Sequence, residues 1–167
     1  MSSGRANRLH LAVAILGALA VSGCASSSAQ PGADVFYREH AGEAARAAAA
    51  TRTVQAAVSR LSRPPTQTQL EQLSLDARRG RRDVVPASEW SVTENGEEED
   101  VSQAELELNE GATAFLMAMA ALRAYARAPR QSELAVYEDQ LAHGRERWDQ
   151  GIRQLWYLAH QPNPPTV

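Results

Sequence analysis

Two runs of seven-residue repeats facing each other across a short connector constrain this chain more than any other feature. From Val101 onward, Val101, Leu108, Phe115 and Leu122 alternate at spacings of three and four with Ala104, Gly111, Ala118 and Tyr125. After the connector, Leu134, Leu141, Trp148 and Leu155 alternate in the same way with Tyr137, Gly144, Gly151 and Leu158. Such spacing marks the buried seam of a helix. Pro129 ends the first arm and Ser132 can cap the second, so the arms become antiparallel neighbours joined by a short turn. Residues 101–158 therefore read as one long helical hairpin.

Antiparallel pairing fixes a register as well. With Tyr125 set opposite Leu134, Ala118 faces Leu141, Phe115 faces Gly144, Gly111 faces Trp148 and Leu108 faces Gly151. Each central layer then joins a large side chain to a small one. Glycine within a helix costs about 1 kcal/mol relative to alanine, so glycines in phase with the seam predict close approach of the two backbones.

The rest of the composition agrees with helices. The chain is rich in alanine, poor in aromatics (5%), and its basic residues are all arginine. Its 167 residues leave room for one domain after removal of a targeting segment. The net charge is −3, and loss of Arg5 and Arg8 with that segment makes the remainder more acidic. This argues against nucleic acid as a partner. The expected fold is all-α, a four-helix-bundle-like domain over 34–160 built on the long antiparallel hairpin, with a disordered tail at 161–167.

The amino terminus carries the most specific motif. Arg5 and Arg8 precede an apolar core from Leu9 to Val21, which has the length of a secretion signal and is too short for a spanning helix. It ends in Val21-Ser22-Gly23-Cys24, which resembles the lipobox of bacterial lipoproteins. The resemblance covers this segment alone. It implies cleavage after residue 23, lipid on Cys24 and an extracytoplasmic protein held to the cell membrane or outer membrane. In a two-membrane bacterium, Ala25 after the cysteine implies transport to the outer membrane. Cys24 is the chain's single cysteine, which excludes a disulfide within the chain. Residues 24–33 have the composition of a flexible tether.

Between tether and hairpin, Asp34 is the expected cap of a helix reaching about Leu61, with Tyr37, Ala44, Thr51, Val58 and His40, Ala47, Val54, Leu61 on its seam. Thr68-Gln69-Leu70-Glu71 has the capping-box pattern of a second helix, expected to finish near Arg82. Pro86 and Ser88 suggest a further start. Either Thr93-Glu94-Asn95-Gly96 is a turn, or one helix runs on into Val101 with its glutamates in water.

Recognisable catalysis is not expected. No Glu-x-x-His pair, phosphate loop or nucleophile elbow occurs, and His40, His143 and His160 are not at ligand spacing, so no metal or other cofactor is expected. The candidate partner surface is the open end of the hairpin, made of Trp90, Glu97, Glu98, Glu99, Asp100, Trp156 and Tyr157; the competing reading packs the aromatics against the first two helices and leaves the acidic run as a solvated helix face. The function expected is a lipid-anchored, non-catalytic binding or structural module in the cell envelope, engaging a protein or envelope component. The alternative is a carrier holding a small apolar ligand between the hairpin and the first two helices. Arg78-Arg79-Gly80-Arg81-Arg82 reads either as arginines complementing a helix end or as a contact for anionic headgroups.

Overall fold

A computed structural model of the chain describes residues 29–90 and 99–167. Cys24 and its lipobox, and Glu94, Glu97 and Glu98, lie outside the described residues. Four helices follow in order: α1 (Pro31–Ser59), α2 (Gln67–Ser88), α3 (Glu99–Arg127) and α4 (Gln131–Leu158). No strand occurs among the described residues. α3 packs most extensively on α4, then on α2, and α2 packs on α1, so the architecture is a helical bundle centred on the α3/α4 hairpin.

The hairpin has the register its sequence predicts. A methyl group added to Gly144 would lie 2.6 Å from the Phe115 ring, and one on Gly111 would lie 2.7 Å from the Trp148 backbone nitrogen. One on Gly151 would meet the Ala104 carbonyl oxygen at 2.5 Å and Leu108 at 3.0 Å. Every seam residue of α3 is buried, as are all those of α4 except Leu134 and Leu158 at its ends, which are partly covered. Trp148 and Phe115 are fully enclosed. Their payload of apolar area makes these layers the centre of the core.

Several boundaries differ from expectation. α1 begins at Pro31 with proline in its first turn, where the absent N–H costs nothing. Asp34 lies within that turn, paired with Arg38 at 3.2 Å, and Ala33 is fully buried. The bundle thus begins inside the span assigned to the tether. α2 is capped by Thr66, not Thr68: its hydroxyl accepts from the Gln69 N–H at 3.2 Å, and the Gln69 carboxamide oxygen accepts from the Thr66 N–H at 2.9 Å. Gln69 also accepts from the Ser62 hydroxyl and donates to the Arg60 carbonyl, which ties the α1–α2 connection to the cap.

Helix α2 also continues past Arg82. Leu70, Leu73, Ala77, Gly80, Val84 and Ala87 form one buried stripe at spacings of three and four that runs through the last turn despite Pro86. Burial of Val84 and Ala87 outweighs the backbone bond that the proline removes.

The carboxyl-terminal tail is ordered, contrary to expectation. α4 ends in a Schellman arrangement: Gln161 N–H donates to the Trp156 carbonyl at 2.8 Å and His160 N–H to that of Tyr157 at 3.0 Å. His160 takes the left-handed conformation (φ 55°) at the position usually held by glycine. The chain turns back along α4, where the Trp148 indole donates to the Pro165 carbonyl at 2.9 Å and Val167 N–H to Asp149 at 2.8 Å. Arg145 donates to the Val167 carbonyl and Arg52 of α1 to that of Thr166, so the tail bridges two helices.

Candidate functional site

The open end of the bundle collects the amino-terminal part of α1, the exit of α2, the start of α3 and the end of α4. Its anchor is Trp90, directly after the last residue of the α2 cap. The ring meets Phe36 edge-on at 5.1 Å and lies tilted against His40 at 5.0 Å and Trp148 at 6.1 Å. The indole N–H donates to Glu43 at 2.8 Å. That bond, foremost, holds the Glu43 carboxyl below its ordinary range, with further help from His40 and Arg46 and against the opposing effect of partial burial. Asn109 of α3 donates to the Ser88 carbonyl at 3.1 Å and to that of Trp90 at 3.4 Å, pinning the backbone as it leaves α2.

Of the two readings of this end, packing against the first two helices holds for both tryptophans, and the candidate partner surface loses them. Trp90 is 8% exposed and Trp156 is 4% exposed, the latter stacked edge-on against Tyr37 at 5.1 Å. An aromatic residue beside the seam has the same sequence appearance whether it faces solvent or a neighbouring helix, and here α1 covers it. The surface that remains is Tyr157, 80% exposed, together with exposed Glu99 and Asp100 in the first turn of α3. Gln154 of α4 donates to the Asp100 carbonyl at 3.0 Å, which joins the two elements. The Gln30 N–H donates to the Leu158 carbonyl at 3.1 Å, so the chain enters α1 beside the end of α4.

A buried acidic group one turn further along α3 escaped the sequence reading. Glu105 and Glu107 are 5% and 3% exposed. Arg147 of α4 donates to both Glu107 carboxylate oxygens, at 2.9 and 2.8 Å, and lies 3.5 Å from Glu110. Gln103 donates to Glu107 at 2.9 Å. These bonds to the carboxylate hold the Arg147 guanidinium above its ordinary range. A buried carboxylate of this kind needs its partner. The hairpin register sets position 147 opposite position 112, within about one and a half turns of Glu107 and Glu110, so the pattern was present beside the seam.

One place where the hairpin meets α1 is closely packed. Between the hairpin and α1, the side chains of Thr51, Val54, Phe115, Met119, Tyr137 and Leu141 close on one another and leave no room for a water molecule. An open groove of about 350 Å³ lies on the outer face of the hairpin, lined by Asn109, Glu110, Thr113, Met117, Gln140 and His143. It is a shallow surface feature with mixed lining. Among the described residues no three His, Cys, Asp or Glu side chains are grouped to hold a metal ion, and no helix is long and apolar enough to cross a membrane. Compared with known family models, curated proteins and solved structures, the chain matches none of them.

Proposed function

We propose that this protein is a lipid-anchored, non-catalytic helical module of the bacterial cell envelope that docks a basic partner on the acidic open end of its bundle. The observation that supports it most is the charge gathered at that end. Residues 31–45, 89–90, 99–110 and 149–158 hold ten acidic residues and two arginines; with Glu105 and Glu107 buried and Arg147 paired to Glu107 and Glu110, the outward excess comes from the other acidic residues. The sequence adds Glu94, Glu97 and Glu98 between α2 and α3. A field of one sign speeds and orients encounter with an oppositely charged partner. Anchoring rests on Val21-Ser22-Gly23-Cys24 and on the short run between Cys24 and α1.

Two variants test the two halves of this reading. Cys24→Ser should move the protein out of a salt-washed membrane fraction; retention with lipid label still attached would end the lipoprotein reading. Reversing the charges of Glu97, Glu98, Glu99 and Asp100 to lysine should abolish in-cell crosslinking of the partners seen with the parent. An unchanged crosslinking pattern would end the docking reading.

A further inference from the structure

From α2 we infer a second contact: the outward face Leu75, Arg78, Arg79, Arg82, with Arg81 beside it, binds phosphate-bearing lipid headgroups at the surface of an anionic membrane. The inference rests on the membrane location proposed above.

Residues 75, 78, 79 and 82 follow the i, i+3, i+4, i+7 spacing of one helix face, and all four are exposed. Gly80 fixes which way they point. It is buried on the opposite side, where a methyl group would meet Met119 at 2.8 Å and Val54 at 2.9 Å. α2 therefore cannot rotate to hide the arginines.

Nothing inside the bundle accounts for them. Arg78, Arg79 and Arg81 make no hydrogen bond or ion pair among the described residues, and Arg82 meets only its neighbour Asp83, at 3.6 Å with the arginine 77% exposed. An exposed pair of that geometry contributes little. The helix-end explanation fails too, because α2 runs on to Ser88 and its last turn holds no basic residue. Four like charges within five residues repel one another at i, i+3 and i+4. The surrounding half of the bundle does not offset that repulsion: besides the row and the paired Arg147, residues 46–88 and 111–148 hold eight arginines against seven acidic residues.

An anionic surface is the complement of such a row. Leu75, 46% exposed in line with the arginines, suits the boundary below the headgroups, where an apolar side chain leaves water while its basic neighbours stay at the phosphates. The contact has a geometric consequence. Gly80 is level with Val54, about 35 Å along α1 from Pro31 at 1.5 Å per residue. The seven residues from Cys24 to Pro31 reach at most about 25 Å. The bundle must therefore lie along the membrane rather than stand on it.

The test uses the processed chain from residue 24 carrying Cys24→Ser, so that no lipid contributes and its outcome is separate from that of the anchoring experiment. It should co-sediment with vesicles containing about one third phosphatidylglycerol, fail to bind pure phosphatidylcholine, and bind less tightly as salt rises from about 50 to 200 mM. Replacing Arg78, Arg79, Arg81 and Arg82 by glutamine should weaken binding on the order of a thousandfold with helicity unchanged. Replacement of the same four by lysine should preserve binding, which also covers a glutamine variant that folds poorly. Glutamine at Arg60, Arg63, Arg127 and Arg130, with the same loss of charge, should bind nearly as the parent. Equal losses in the two glutamine variants, binding to neutral vesicles, or no binding by the parent would each overturn the inference. So would displacement by millimolar inorganic phosphate, which would reassign the row to a free anion.

Discussion

At the scale of single residues, the glycines divide into those that admit a neighbour and one that does not. A methyl group at Gly111 would press on the backbone of α4, which cannot swing aside as a flexible side chain can, and one at Gly144 would enter the Phe115 ring. Gly42 is exposed in α1, with only the tip of Arg46 at 3.6 Å. Replacing each by alanine should split them by sign. Gly42→Ala should gain up to about 1 kcal/mol from helix propensity, whereas Gly111→Ala and Gly144→Ala should each lose about 1–3 kcal/mol through overpacking. Urea denaturation midpoints check this, and a neutral Gly111→Ala would mean that the helices part without cost. The same residues explain why the hairpin was legible in sequence. Glycine is unfavourable inside a helix, so three in phase with a large residue opposite each carry positional information that an alanine-rich stretch lacks.

At the scale of elements, legibility declined wherever two residues could fill one role. Thr66 and Thr68 each precede a Gln or Glu by three positions, with Gln69 for the first and Glu71 for the second, so the pattern alone does not choose between them. The choice is made by tertiary context, since the Gln69 carboxamide also holds Ser62 and Arg60 at the end of α1. Thr66→Ala should therefore cost about 1 kcal/mol, and Thr68→Ala, an exposed substitution one residue inside the helix, should cost nothing measurable. Equal losses would restore the alternative cap. The tail was unreadable for another reason. Its order comes from single bonds to Trp148, Asp149, Arg145 and Arg52, and such contacts leave no periodicity behind. Trp90 and Trp156 shared that ambiguity, because a side chain flanking one seam is covered only when another helix arrives.

At the scale of the whole molecule, stability should fall at both ends of the pH range through different groups. The lowered carboxyl of Glu43 contributes stability that is complete above the ordinary value of 4.5 and disappears as pH falls through its folded value. Burial pushes the Tyr137 hydroxyl up from 10 to about 12, so the folded state resists its ionisation. That contribution is complete below pH 10 and disappears between pH 10 and about 12. Tyr137→Phe should flatten the alkaline limb of the melting profile. It should also raise stability at neutral pH by about 1 kcal/mol, because the buried hydroxyl has no hydrogen-bond partner among the described residues. An unchanged alkaline limb in that variant would show that another group controls it.

All three tryptophans of the chain, Trp90, Trp148 and Trp156, lie in the interior, between 0% and 8% exposed. Intrinsic fluorescence is consequently a gauge of the bundle's integrity and not of its surface. Membrane or partner contact at the faces assigned above should leave the emission maximum where it is, and a red shift during such a titration would signal that the helices themselves have opened.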